Sequence, residues 1–434
     1  MTATITSYDG PMTALADRLV SRRITVAADE QGRPYLVRAD SVVIDVDDVE
    51  EATARVAERG LEVLGPPLVA RHPRLLGARI RPADRPTPDA RGWGADVVNR
   101  LLDEFGSSDV VARPNHVYLP DGIGHLVPGA RGEADANLHS LEALVSTARP
   151  AATPNRRRPL DLPDRRRPNV LVLDTGLRTA SGRPEHPWLE RCVIHEPWLD
   201  RSAGRFNDED EPDDDGRGQL DAQAGHGTFI SGIIHQRCPD AVVHHAGVLS
   251  SYGDGDDASV AAAIERVRHR FERSGVPLDL VVCAFGAYGD GPPPLADALA
   301  TLPAGCVVVA AAGNDGTSRP FYPAALPGVV AVGAVDVDRR APFTNFGPWV
   351  DACAQGVATV STFFVDFDDE PPDQGRRFRG WASWSGTSFA APVVGAAIAQ
   401  CQYLHQSTAP AAWQAIGGDR RRLRIGDLGV FVPG

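Results

Sequence analysis

Residues 170–176 read VLVLDTG. Four apolar residues run without a polar interruption and stop at an acid, a threonine and a glycine. A strand with one wet face alternates apolar and polar side chains. An unbroken run instead suits a strand covered on both faces, as in a parallel sheet. Four more such runs follow: AVVHHAGVL at 241–249, DLVVCAF at 279–285, CVVVAAAG at 306–313 and GVVAVGAV at 328–335. Helical patterns stand between them. Val260, Ile264, Val267 and Phe271 mark one helix face, and PLADALATLPAG at 294–305 is a second crossover helix. This order predicts an α/β domain over 169–434, doubly wound around a mainly parallel sheet flanked by helices. Ligands in such domains sit at the carboxyl ends of the strands.

Upstream the texture changes. Residues 20–120 alternate short strands (ITVAAD, SVVIDV, LEVLGPPLVARH, LLGARIR, VVARPNHVYLP) with two amphipathic helices, VEEATARVAERG and ADVVNRLLDEFG, each closed by a glycine. They predict a small α+β module. Residues 121–168 loosen into a Pro/Arg-rich linker with two triple-arginine runs, at 156–158 and 165–167. These runs read equally well as processing sites or as a solvated charged linker.

Composition narrows the function. With 434 residues, 43% hydrophobic and 23% charged, the chain is long enough for several globular units. Its net charge of −13 argues against nucleic acid or an anionic membrane as partner, and every basic residue is arginine. No run of 18 apolar residues offers a membrane span. The first residues lack a basic start followed by an apolar core, so the expectation is a cytoplasmic protein. Six cysteines are scattered without a CxxC pair. Cys283 and Cys306 lie in apolar runs and read as buried free thiols. Nothing in the sequence speaks to oligomeric state.

Four places carry candidate chemistry. Asp174 ends the run NVLVL, although an acid before glycine is more often turn chemistry. His226 stands between Gly225 and Gly227 at the head of an apolar helix, where an imidazole that titrates near neutrality serves as a base. The plain alternative is a capping or core histidine. Ser388, in SGTSFAAP, opens another apolar helix, whose unpaired N–H groups favour a developing anion. The plain alternative is a serine N-cap. Asn314, in AAAGNDG, follows a strand and could be a turn or an amide donor to an oxyanion.

Together the segments VLVLDTG, GHGTFISGII, AAAGNDG and SGTSFAAPVVGA resemble the subtilisin-like (subtilase) serine proteases, in that family's order of Asp, His, Asn and Ser. FYPAALPGVVAVGAVD and FTNFGPWVDACAQGVATVST extend the likeness across most of 169–434. The resemblance implies Ser388 as nucleophile, His226 as general base and Asp174 as the group orienting the imidazole. It implies Asn314 as the oxyanion-hole side chain, and peptide or protein substrates cut through an acyl-enzyme. It further implies a substrate cleft lined by Leu249, Ser250, Ser251, Tyr252 and Gly253 on one rim, by Ala284, Phe285 and Gly286 on the other, and by Gly313. Where family members often carry Ser-Leu-Gly, this chain has Ala284-Phe285-Gly286. The module at 20–120 resembles the family's propeptides, with VVARPNHVYLP like the tail that enters the cleft. A permanent regulatory domain is the alternative.

No cofactor is needed for this chemistry. The run DEDEPDDD at 208–215 holds seven acids in eight positions. It reads as a mobile solvated loop, with a structural calcium ion as the alternative. A second acidic insertion, VDFDDEPPDQ, precedes Ser388, and His244-His245 read as structural strand residues. Two rivals remain. A catalytically silent binding protein on a protease fold is one. An esterase is the other, although Gly386-Thr387-Ser388-Phe389-Ala390 lacks the second glycine of that class's elbow.

Overall fold

The computed structural model describes residues 21–45, 49–64, 75–81, 94–105, 111–120, 159–180, 183–190, 193–195, 210–214, 216–368 and 377–434, with residues 4, 6, 7, 84, 146 and 147. Nearly all of 121–158, Cys192 and most of the second acidic insertion lie outside the described residues.

In chain order the first elements are β1 (Ile24–Ala28), β2 (Pro34–Asp45), α1 (Val49–Glu58), β3 (Leu61–Leu64), β4 (Leu75–Ile80), α2 (Gly94–Phe105) and β5 (Ala112–Tyr118). Then come β6 (Asn169–Asp174), β7 (Val193–His195), α3 (His226–Arg237), β8 (Val242–Gly247), β9 (Gly255–Asp256) and α4 (Asp257–Ser274). Next are β10 (Leu280–Cys283), α5 (Leu295–Ala300), β11 (Val307–Ala311), β12 (Val329–Asp336) and β13 (Ala352–Gln355). The chain ends with α6 (Thr387–His405), α7 (Ala409–Gly417) and β14 (Val430–Phe431).

The expected doubly wound sheet is present, with nine strands among the described residues. Eight run parallel in the order β7-β8-β6-β10-β11-β12-β13-β14, and a short strand at Arg339–Arg340 lies antiparallel to the end of β12. The unbroken apolar runs follow from burial on both faces. Val170 and Val172 of β6 share one apolar cluster with Phe229 and Ile230 of α3 and with Phe389 and Val393 of α6. Leu171 and Leu173 share the opposite cluster with Val260 and Ile264 of α4 and Leu295 of α5. Each such side chain contributes roughly 1.5–3 kcal/mol on leaving water. From β6 the chain passes to β8 on one side and returns through α4 to β10 on the other. The carboxyl end of β6, where Asp174 sits, is therefore the point where the winding reverses. No described helix is long and apolar enough to cross a membrane.

The amino-terminal elements form an antiparallel sheet with its own apolar core, including Leu36, Val42, Val98 and Leu102. Two details depart from the reading of the sequence. β2 begins at Pro34, well before Ser41, and its pairing with β5 shifts register between Val37 and Val42. The second arginine run is also pinned rather than loose. Arg165 donates to the Tyr403 carbonyl at 3.0 Å, Arg166 makes two 2.7 Å bonds to Asp279, and Arg167 donates to the Asp240 carbonyl at 2.7 Å. Arginine finds these partners because the fold leaves backbone carbonyls and a carboxylate at that corner.

The two sheets meet. β9, which leads into α4, pairs antiparallel with the end of β5: Gly255 opposite Tyr118 and Asp256 opposite Val117. Charged side chains flank the seam. Arg38 is buried and reaches Asp254 at 2.9 Å and Asp256 at 2.8 Å. Arg22 also pairs with Asp254. Arg319 lies 3.1 Å from Asp29, and Arg113 lies 2.6 Å from Asp297.

Candidate active site

Asp174 and His226 come together because β6 ends where α3 begins. Asp174 Oδ1 lies 2.6 Å from His226 Nδ1, and both side chains are buried. The same oxygen accepts the Thr175 N–H at 2.8 Å, which fixes the carboxylate against its own strand end. An ionised carboxylate only accepts, so the hydrogen sits on Nδ1 and leaves Nε2 as the free lone pair. That Nε2 has no hydrogen-bond partner among the described residues. The ring is gripped by Trp384, edge-on at 5.3 Å, and by Phe389 at 5.2 Å. The flanking glycines are demanded by space. Gly225 has φ 81°, and a Cβ on it would fall 2.2 Å from the Phe363 ring. A Cβ on Gly227 would fall 2.5 Å from the Thr175 carbonyl.

The acidic run contributes a residue that the sequence reading left in a solvated loop. Asp210 is 2% exposed. Its Oδ2 accepts from Gly225 N at 2.7 Å and from Thr175 Oγ1 at 3.0 Å, and Thr175 Oγ1 in turn accepts from Gly227 N at 2.9 Å. Asp210 thus ties the residue after Asp174 to the residue before His226. Burial pushes its carboxyl well above the usual range, against the pull of those two donors. Nothing in the string of acids singles out position 210, because its partners lie 35 and 15 residues away. Among the described residues no three His, Cys, Asp or Glu side chains cluster as a metal site. His244 and His245 are spent on the fold. His245 Nε2 lies 2.6 Å from the Thr175 carbonyl and His244 Nε2 lies 3.2 Å from Asn169 Oδ1.

Ser388 is the second residue of α6, beside Phe389, whose ring touches that of His226. Its hydroxyl donates to the Ala284 carbonyl at 2.8 Å and lies 3.4 Å from the Pro120 carbonyl. No hydrogen bond joins Ser388 to His226; a change of χ1 at serine is what redirects Oγ. Pro392 lies six residues into α6, deeper than the first turn. It has no N–H to give to the Ser388 carbonyl four residues earlier.

Asn314 faces the same spot. Its Oδ1 accepts from Thr387 N at 2.8 Å and from Thr387 Oγ1 at 2.9 Å, which leaves Nδ2 to donate to the Pro120 carbonyl at 3.2 Å. Behind it, Asn345 uses both ends of its amide. Nδ2 donates to Ala312 O and Tyr288 Oη, each at 2.9 Å, and Oδ1 accepts from the N–H groups of Asp315 and Thr317, each at 3.1 Å. This pins the loop that carries Asn314.

The cleft between the two rims holds the chain's own residues 118–120. Leu119 exchanges two backbone hydrogen bonds with Gly286, at 2.9 and 3.0 Å, while Gly255 flanks Tyr118 on the other side. A Cβ on Gly253 would meet Pro120 Cδ at 3.1 Å. Gly253 and Gly286 therefore border the tail directly, while Ala284 offers its carbonyl to the Ser388 hydroxyl. Phe285 is buried with its ring edge-on to Tyr118 at 5.5 Å. Leu249 is buried in the same apolar cluster as Tyr118, and Gly313 donates to Thr387 Oγ1 at 3.1 Å. Ser250 and Ser251 turn to Asp254 and Asp221 instead, and Tyr252 lies under Arg22.

The part of the chain that carries these residues is similar to known proteins. Residues 166–417 match the Subtilase family profile. A thermophilic serine proteinase of Bacillus sp. is 50% identical over 91 residues, covering 21% of this chain and 20% of that protein. A thermostable alkaline protease of Halalkalibacterium halodurans is 33% identical over 192 residues, 41% of this chain and 48% of the relative. Subtilisin DY of Bacillus licheniformis is 31% identical over 190 residues, 40% of this chain and 62% of the relative. The chain spans less than two thirds of the length of each of these three relatives. With more than half of its residues matched by the family profile, this chain belongs to the subtilase family.

Proposed function

We propose that the chain is a serine endopeptidase whose cleft is occupied by its own amino-terminal module. The observation that carries this reading is the tail at 118–120. It lies as an added strand against Gly286, with the Pro120 carbonyl within hydrogen-bond distance of Asn314 Nδ2. An extended peptide held by main-chain bonds is how a sheet edge takes a substrate. In this reading Ser388 attacks the carbonyl while His226 Nε2 takes its proton, and Asp174 holds the ring and stabilises the imidazolium. Asn314 Nδ2 and the N–H at the head of α6 stabilise the oxyanion. The 2.6 Å contact of Asp174 with His226 supports the assignment of the base. While the tail is in place the Ser388 hydroxyl is turned to Ala284, so the docked state is latent and release of residues 20–120 frees the cleft.

The test is labelling of the full chain by a fluorophosphonate probe, together with casein digestion. Wild type takes the label and digests casein, and Ser388→Ala does neither. Failure of the wild type in both assays, under conditions that expose the cleft, overturns the reading in favour of a silent binding protein. Intact mass then reads the fate of the module. Shortening in wild type but not in Ser388→Ala means self-processing. Full-length protein in both active wild type and Ser388→Ala means the module is a permanent regulator.

A further inference from the structure

Tyr118 of the tail is fully buried, and its contacts are polar as well as apolar. Along β5 the side chains alternate. Val117 and Leu119 belong to the apolar cluster of the amino-terminal unit, whereas Tyr118 belongs to the one built by Leu249, Phe285 and Leu295. Tyr118 is fully buried there, and its hydroxyl donates to Asp257 Oδ1 at 2.6 Å.

Asp257 is itself fully buried in the first turn of α4. Leu295 N donates to its Oδ1 at 2.9 Å, a contact within the nine-stranded unit that stays when the tail leaves. Its other contacts come from the tail: His116 N at 2.7 Å and His116 Nδ1 at 3.0 Å, both on Oδ2, and the Tyr118 hydroxyl. A buried carboxylate needs its donors, because each one lost leaves charge that neither water nor protein compensates. Phenylalanine would fill the same volume but bring no donor.

We propose that Asp257 is a specificity-determining residue, which makes the pocket under Phe285 select substrates carrying tyrosine two residues before the carbonyl that faces Asn314. The inference rests on the reading of the cleft as a peptide-binding site. The tail then displays the preferred sequence in place. The pocket walls take the aromatic ring, and the carboxylate at its floor distinguishes hydroxyl from hydrogen.

The experiment offers the full chain two internally quenched peptides in one tube. They are identical except that one carries Asn-His-Val-Tyr-Leu-Pro and the other Asn-His-Val-Phe-Leu-Pro. The ratio of the two kcat/KM values does not depend on how much enzyme is active. Wild type should favour tyrosine by about ten- to a hundredfold, the scale of a hydrogen bond to a charged acceptor. Asp257→Leu should bring the ratio close to unity. If that variant does not fold, Asp257→Asn, which keeps an acceptor for Leu295 but no charge, should lower the ratio severalfold. A wild-type ratio near unity overturns the inference, as does an unchanged ratio in a variant that still cleaves. So does a protein that digests casein yet cleaves neither peptide. A protein that neither takes the fluorophosphonate label nor digests casein under conditions that expose the cleft overturns the peptidase reading as well.

Discussion

The interior of the nine-stranded sheet and the seam against the amino-terminal unit are both buried and both carry apolar contacts, such as Val43 and Leu75 in one cluster with Leu249 and Val260, but the seam adds charge. In the interior, successive residues of β6 alternate between two apolar clusters. At the seam, Arg38 lies between Asp254 and Asp256, Arg319 lies beside Asp29, and Asp257 gathers donors from His116 and Tyr118. Apolar surface gains by leaving water, so burial holds the interior together. Charges regain water when they part, so the ion pairs of the seam cost little once open but a great deal when one partner alone is missing.

The sharpest way to break that contrast is to remove one charge from the seam. Arg38→Met takes a buried cation from between Asp254 and Asp256, with Arg22 still beside Asp254, and docking should weaken by about 3–5 kcal/mol. Fluorophosphonate labelling of the full chain should accelerate accordingly, and an unchanged rate would mean the seam does not control access. Within the mouth, Asn314→Ala should leave substrate affinity nearly intact but lower turnover by about 100- to 1000-fold, as loss of the corresponding amide does in subtilisin itself. Steady-state kinetics on a peptide substrate separates the two effects.

Asp210→Ala removes an acceptor from two buried donors, Gly225 N and Thr175 Oγ1. The cost should be about 1–3 kcal/mol, read as a lower melting temperature. Asp210→Asn, which still accepts, should recover most of it.

Acid gives the mildest probe of the seam. Burial on its own would push the Asp254 carboxyl up, but Arg38 and Arg22 outweigh it and hold the group down at about 2. In the undocked state, with both arginines gone, it returns toward an ordinary aspartate near 4. A value lowered by docking means that this contribution is complete above the ordinary value and is lost as pH falls through the docked one. About 2 kcal/mol of docking should therefore disappear between roughly pH 4 and pH 2. Deuterium uptake at residues 111–120 would follow the loss, and uptake independent of pH across that window would count against the assignment.

How much of this was legible beforehand follows the range of the interactions involved. The central strands, α3, α4 and α6 announce themselves through unbroken apolar runs and helical spacing, because burial on two faces acts on neighbouring residues. The positions of Asp174, His226, Asn314 and Ser388 were also readable. Each sits at the end of such an element, inside a short segment of small residues that close packing demands. Asp210 was not readable, since seven acids in eight positions look alike until one of them meets Gly225 and Thr175. The pinned arginines at 165–167 were hidden for the same reason: their acceptors lie more than 70 residues away. The pairing of Tyr118 with Asp257 spans 139 residues, and no local pattern encodes a bond between two groups that only folding brings within 3 Å. Local order is written in neighbouring side chains. The occupancy of the cleft, and the turning of the Ser388 hydroxyl away from His226, arise from contacts that exist only when distant segments close on one another.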